Sequence, residues 1–256
     1  VGSGSEFDYI HIHQGFDDGI EIFGGATTLK HIAVTDTQDD SFDFDAGWQG
    51  KALYLFVQHG TVTLNDGSVV NMGNNGFESD GVKGSSSAQV SPSNPMVANV
   101  TVITTDGNSV RDDDPSQAYK FDDQFNSSIY NALIVKKNAV NTQCIEFSVD
   151  GEKQADNISF TSSVMACSSN FANTDTFAGG PLAGQTKTAW FENGGASEIL
   201  TDDVSVLAAN GFATNTASTD VSVTATDLST TDSFFESVNY IGAVSDQDTT
   251  SNWYKW

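Results

Sequence analysis

The sequence predicts an all-β solenoid of about six or seven coils with a less regular C-terminal section. Three observations carry this. The segment Asp17-Asp18-Gly19-Ile20-Glu21-Ile22-Phe23-Gly24-Gly25 recurs without a gap, 22 residues on, as Asp39-Asp40-Ser41-Phe42-Asp43-Phe44-Asp45-Ala46-Gly47. The residues ahead of each copy match as well, Tyr9-Ile10-His11-Ile12 over His31-Ile32-Ala33-Val34. Within each copy apolar and polar residues alternate with period two, so a layer is built from strands, and a fixed period of this length is how stacked layers show themselves.

Two strand families can be followed along the chain. The first reads Ile10/Ile12, Ile32/Val34, Leu55/Val57, Val100/Val102 and Leu133/Val135, with Val164 next. The second reads Ile20/Ile22, Phe42/Phe44, Phe77/Ser79, Tyr119/Phe121 and Ile145/Phe147, then Trp190. Alternation points these side chains inward, where like stacks on like in ladders. Three insertions stretch the period: a turn through Asn65-Asp66-Gly67, a loop from Ser85-Ser86-Ser87 through Pro92 and Pro95, and another from Asp106-Gly107-Asn108 to Pro115. Such insertions project from one side of a solenoid. Residues 1–170 are expected to form the regular coils of a single domain spanning 1–256, and 171–256 irregular coils and a C-terminal cap. There Val204–Leu207 and Phe234-Phe235 read as strands or packed anchors, Thr214 to Thr231 as edge strands and loops, and Tyr240–Val244 with Trp253, Tyr254 and Trp256 as the closure of the last layer. No helix is expected.

The chain of 256 residues carries 34 acidic against 10 basic residues, a formal charge of −24. Nucleic acid and anionic membrane surfaces are thereby disfavoured as partners, because neither offers the counter-charge such a surface needs. No apolar run is long enough to span a bilayer, so direct membrane insertion is not expected. Cys144 and Cys167, 23 residues apart and close to one period, are within reach of a disulfide between coils, as an exported protein would favour; two isolated core thiols are the alternative. The chain reads as a processed or trimmed part of an exported protein.

Stacking the second family places Glu21, Asp43, Glu78, Lys120 and Glu146 in one outward column, and Phe23, Asp45, Asp80 and Asp122 in the next. Rungs of a parallel stack lie about 4.8 Å apart. Like charges at that spacing repel unless a cation, a proton or a basic side chain intervenes. Calcium suits a set of carboxylate oxygens, and the candidate ligands are Asp17, Asp18, Asp39, Asp40, Asp43 and Asp45. A solvated acidic face, or neutralisation by Lys30 and Lys51, is the competing reading.

The run Gly19-Ile20-Glu21-Ile22-Phe23-Gly24-Gly25 followed by Asp43-Phe44-Asp45-Ala46-Gly47-Trp48-Gln49-Gly50 resembles the DGIExFGG…DxDxGWxG signature of secreted right-handed parallel β-helix proteins of marine and other Gram-negative bacteria, many of them similar to surface lipoproteins. Ser93-Asn94-Pro95 before Ala98-Asn99-Val100-Thr101, and Tyr240-Ile241-Gly242-Ala243, are similar to that family too. The resemblance implies a right-handed parallel β-helix at the cell surface or outside the cell, with no settled activity. The lipid-attachment cysteine is absent from these residues, so an anchor would lie upstream.

Right-handed β-helices often carry polysaccharide lyases and hydrolases, which is analogy of fold alone. Carboxylate pairs are plentiful, but the sole arginine, Arg111, sits among Asp112, Asp113 and Asp114, and no nucleophile-elbow motif is present. His59 is a candidate base more readily explained as structural, and His11 with His13 a weak metal pair. Trp48, Phe56 and Phe23, with Tyr9 close by, are expected to form an aromatic strip able to stack on sugars, and Arg111 to contact a ligand from its loop. The expected function is an exported structural or adhesive β-solenoid stabilised by calcium, its partner itself, through end-to-end filament assembly, or a surface glycan. The alternative is a carbohydrate-active enzyme or glycan-binding module using the inserted loops.

Overall fold

The computed structural model describes residues 2–82, 91–105, 107–111, 113–136, 143–167, 170–172, 174–200, 221–245, 253 and 254. The segments Ser85–Ser87 and Val204–Leu207, the first part of the Thr214–Thr231 run, and Asp106, Asp112 and Trp256 lie outside the described residues.

The chain is a parallel β-helix. One sheet stacks β1 (Glu6–His13), β3 (Thr28–Thr35), β5 (Lys51–Gln58), β9 (Met96–Thr104) and β11 (Ser127–Lys136). The next rung is split into β13 (Ile158–Thr161) and β14 (Val164–Ala166), both pairing with β11, and β15 (Glu198–Leu200) follows. The second sheet stacks β2 (Ile20–Gly25), β4 (Phe42–Trp48), β8 (Asn75–Asp80), β10 (Gln117–Asp122) and β12 (Ile145–Phe147). All these pairings are parallel. The registers Ile10↔Ile32, Ile20↔Phe42 and Glu21↔Asp43 are those of the sequence repeat.

Each coil nevertheless has three inward runs, because the first sheet is bent at its middle. Tyr9, His31, Tyr54, Asn99, Asn131 and Ser162 all have left-handed backbone, with φ of 56°, 48°, 60°, 53°, 56° and 54°. They occupy the same place on successive rungs. A left-handed residue turns the strand, so residues three apart, such as Leu29 and Ile32, both enter the core. The third inner ladder is therefore Phe7, Leu29, Ala52, Val97, Ile129 and Phe160, which alternation alone does not disclose.

The second-sheet ladder holds as read, with Phe42, Phe77 and Tyr119 stacked at ring separations of 5.0 and 4.7 Å. Trp190 is not its next rung. It lies on a short helix, α1 (Lys187–Glu192), which closes the far end of the core: its indole nitrogen donates to the carbonyls of Ala155 and Ile158 at 3.0 Å, and Phe191 is buried beside Phe160. The helix is capped by the Thr186 hydroxyl accepting from the amide of Ala189.

The first ladder needs a correction at β11. Val100 pairs with Ala132 and Val102 with Ile134, so Ala132 and Ile134 enter the core while Leu133, Val135 and Val164 face outward. They are buried all the same, because the C-terminal segment runs back along the outer face of this sheet. Ile241 packs on Leu133 and Val135, while Ala243, Val244 and Tyr254 pack on Ala33, Phe56 and Ile103. With both faces covered, the β11 strand is a continuous apolar run in which alternation no longer tells inside from outside. Tyr240–Val244 thus cover the flank instead of closing the last layer, and residues 221–231 carry no strand.

Asn99 and Asn131 fasten this strap. The Asn99 side-chain amide donates to the carbonyls of Tyr240 and Gly242, both at 3.0 Å, and that of Asn131 to Thr226 O at 2.9 Å and Asn99 Oδ1 at 3.1 Å. Asparagine tolerates the left-handed region better than most residues, so the same column bends the sheet and holds the strap. Of the insertions, the first is an antiparallel hairpin, β6 (Thr61–Thr63) with β7 (Val69–Asn71), turned at Gly67 with φ 86°.

Phe77→Ala removes a ring gripped between two others in the core, and a loss of about 3–5 kcal/mol in urea unfolding is expected. Phe23→Ala, whose ring is 66% exposed on the first coil, changes stability by about 0.5 kcal/mol or less.

Candidate acidic site on the second sheet

The outer face of the second sheet carries a line of carboxylates climbing from coil to coil. Four overlapping triplets each bring one carboxylate oxygen per residue within 4.8 Å of the others: Asp17, Asp18 and Asp39; Asp18, Glu21 and Asp43; Asp43, Asp45 and Asp80; and Asp80, Asp122 and Asp123. The strand register imposes this, since Glu21 pairs with Asp43, Asp43 with Glu78, and Asp80 with Asp122.

The line is not uniform. At its lower end Arg111 reaches from the third insertion to Asp17 and to Asp39, the latter at 2.7 Å, and lies over the Phe16 ring at 5.6 Å. Arg111 is thus a neutralising brace, and its hydrogen bond to Asp17 holds that carboxyl below its usual range. Asp40 is committed to the fold, accepting from the amide and side chain of Asn75 at 2.8 and 2.7 Å. Burial, then the nearby Glu78, pushes its pKa well up. Asp18 accepts from the amide of Asp40 at 3.2 Å. Its pKa is pushed up to about 7 by burial and then by Asp39, Asp17 and Glu21. In the adjoining column Lys120 bridges to Glu78 at 2.6 Å. Burial alone would lower the lysine, but the hydrogen bond and charge of Glu78, with Asp40 and Glu146, outweigh it and carry it up to about 12.

Asp43, Asp45 and Asp80 are as buried as Asp40, at 4, 2 and 3% exposed, and are the triplet whose three members are all buried. Two like charges 4.8 Å apart repel by about 3.5 kcal/mol at an effective dielectric of about 20, so three held this close require a balancing positive charge or a shared proton. Their oxygens are the hard donors that calcium or magnesium takes, so the residues fit a divalent cation. Asp80 is absent from the six candidate ligands read from the sequence, although its place in the Asp45 column was legible.

The aromatic candidates fall elsewhere. Trp48 is wholly buried, its indole donating to Thr27 O at 3.1 Å, and Phe56 is wholly buried beneath Tyr254, so neither meets a ligand. Tyr9 instead stacks on His31 at the bent corner of the first sheet. His59 is enclosed between the hydroxyls of Ser41 and Ser116 at 3.1 and 2.8 Å, and burial, then Lys136, lowers its pKa to about 3, which fixes it as a neutral structural group. His11 and His13 converge on the Thr35 hydroxyl at 3.0 and 2.8 Å. Cys144 and Cys167 are joined by a disulfide between neighbouring coils, their Cα atoms 6.4 Å apart.

Asp18 gives the site a pH signature. A carboxyl whose folded pKa lies above its unfolded value favours the folded state while protonated, and that contribution is lost as pH rises through about 7. Stability therefore falls between about pH 4 and pH 7 on account of this group, and Asp18→Asn flattens that limb in urea unfolding followed against pH.

A family model described as a pectate-lyase like beta helix domain matches residues 1–134. No curated protein and no solved structure matches the chain. The matched span runs from the first coil into β11, takes in the acidic line as far as Asp123, and covers just over half of the 256 residues. The repeat, the parallel registers and this match agree, and the chain belongs to the pectate-lyase like β-helix family.

Proposed function

We propose that this β-helix is an exported structural or adhesive protein whose second sheet binds a divalent cation, calcium before magnesium, through Asp43, Asp45 and Asp80. The carrying observation is the burial of three carboxylates with oxygens within 4.8 Å on adjacent coils. A cation there ties one rung to the next where their charges would otherwise drive them apart. Calcium accepts more oxygens in looser geometry than magnesium, which suits carboxylates set by strand register. The disulfide supports an oxidising compartment, and the net charge of −24 a medium rich in cations. A surface glycan is the proposed partner.

The test is thermal unfolding with calcium, with magnesium and with excess chelator at fixed ionic strength. Calcium at about 100 times its dissociation constant stabilises by about 2.7 kcal/mol, and the shift is lost in Asp43→Asn/Asp80→Asn. Equal melting curves under all three conditions would sink the cation reading.

A second reading, a carbohydrate-active enzyme, is favoured by one observation. Asp18, with its pKa pushed up to about 7 by burial and by Asp39, Asp17 and Glu21, has the proton affinity of a general acid. Release of reducing ends from neutral polysaccharides, abolished in Asp18→Asn, would establish it; absence of turnover across such a panel would remove it.

A further inference from the structure

We propose that the bent corner of the first sheet, where the C-terminal strap crosses it, is a binding site for a neutral sugar ring of a polysaccharide. The site lies on a different sheet from the acidic line and stands independently of the cation reading.

The corner begins with the left-handed column. Tyr9, His31 and Tyr54 are its first three residues, and their rings stack in file at 4.3 and 4.8 Å with interplanar angles of 11 and 25°. The strap brings Tyr240 parallel to Tyr54 at 6.5 Å and sets Trp253 edge-on to His31 at 5.4 Å. Between them is a cleft of about 180 Å³ whose lining includes these five rings, Glu236 and Ser245. Pockets for drug-sized molecules run to about 300–1,000 Å³, so this one has room for a single ring.

The chemistry of the lining selects among small ligands. His31 has a ring on each face, so the file turns its edges to the cleft. Ring edges are the positive rim of the aromatic quadrupole, and the carboxylate of the lining, Glu236, is already paired with Lys30, so an ammonium group gains little there. An anion meets a chain of net charge −24, and the nearest lysine, Lys30, is already paired with Glu236. A neutral ring carrying hydroxyls meets neither objection. Glu236 has a side chain 51% exposed, is held in place by Lys30 and by the Tyr54 hydroxyl at 3.2 Å, and retains acceptor capacity for a sugar hydroxyl. Tyr9, 66% exposed, ends the file with one face on His31, and its other face, at the mouth of the cleft, is a platform on which the C–H face of the next sugar residue can stack. The cleft is also preorganised, since ion pairs Lys30–Glu236 and Lys51–Asp232 and the Asn99 hydrogen bonds to Tyr240 and Gly242 fix the strap that forms its wall.

The experiment is isothermal titration of the 256-residue protein with neutral hexasaccharides of β-1,4-linked glucose, mannose and xylose, and with a hexagalacturonate as the acidic comparison, in calcium and in chelator. The expected result is saturable binding of at least one neutral oligosaccharide in both buffers, weakened at least tenfold by Tyr9→Ala and by Glu236→Gln. Melting curves recorded beside the titrations certify that both variants are folded at the temperature of measurement. Binding of none of the neutral sugars, a preference for the acidic one, or neutral binding untouched by both substitutions overturns the proposal. Binding that vanishes in chelator assigns the sugar to the acidic line and overturns it equally.

Discussion

The left-handed residue at the bend of six successive first-sheet rungs is the constraint on which the rest of the molecule depends. A strand stacked flat on its neighbours would give a two-sided coil with no room for the file of aromatic rings now inside. Bending every strand at Tyr9, His31, Tyr54, Asn99, Asn131 and Ser162 opens a third wall and admits the Phe7-to-Phe160 ladder. Left-handed backbone costs about 1–2 kcal/mol for an ordinary residue. The cost recurs on each rung and is offset by what the column does with its side chains: aromatic and imidazole rings stacked through the first three positions, then an asparagine ladder. Aromatic pairs contribute about 0.5–1.5 kcal/mol beyond their burial, so the two quantities are of the same order.

Parallel register that makes inner ladders cooperative also makes outer columns of like charge. On the second sheet the same rung spacing that stacks Phe42 on Phe77 sets Glu21, Asp43 and Glu78 one above another. The protein answers differently at each height: Arg111 below, an asparagine clamp on Asp40, a proton on Asp18 near neutrality, Lys120 above. Asp43, Asp45 and Asp80 sit at the centre of that line, where all three members of the triplet are buried.

How much of this was legible in the sequence follows from where period two holds. The second sheet has one face in the core and one bearing carboxylates, so its register and both acidic columns could be read directly. The first sheet is covered on both faces from β3 onward and kinked at mid-strand, so alternation failed twice: it missed the third ladder and assigned Leu133 and Val135 to the interior. Phe56 reads as exposed for the same reason, since the sequence does not announce the strap that buries it, whereas Trp48 turns into the main core at the end of β4, past the left-handed Ala46 and Gly47. Arg111 sits among Asp112, Asp113 and Asp114 in the sequence, but its ion pairs are to Asp17 and Asp39, more than 70 residues back, and only the fold discloses them. The aromatic corner had one visible signal: Tyr9, His31 and Tyr54 fall at equivalent positions of consecutive repeats.

The strap also determines the order in which this molecule can be assembled. Its hydrogen bonds join residues 142 and 143 apart, and its ion pair to Lys30 spans 206. Contacts of that separation are the last to form on a chain emerging from its N-terminal end, and the slowest to find. Coils can zip one on another as they appear, each on a template of its predecessor. Until the strap is in place, however, Phe56, Ile103, Leu133 and Val135 face water as a broad apolar flank. The half-made solenoid is therefore its own most adhesive form, and the C-terminal segment acts on it as a built-in chaperone.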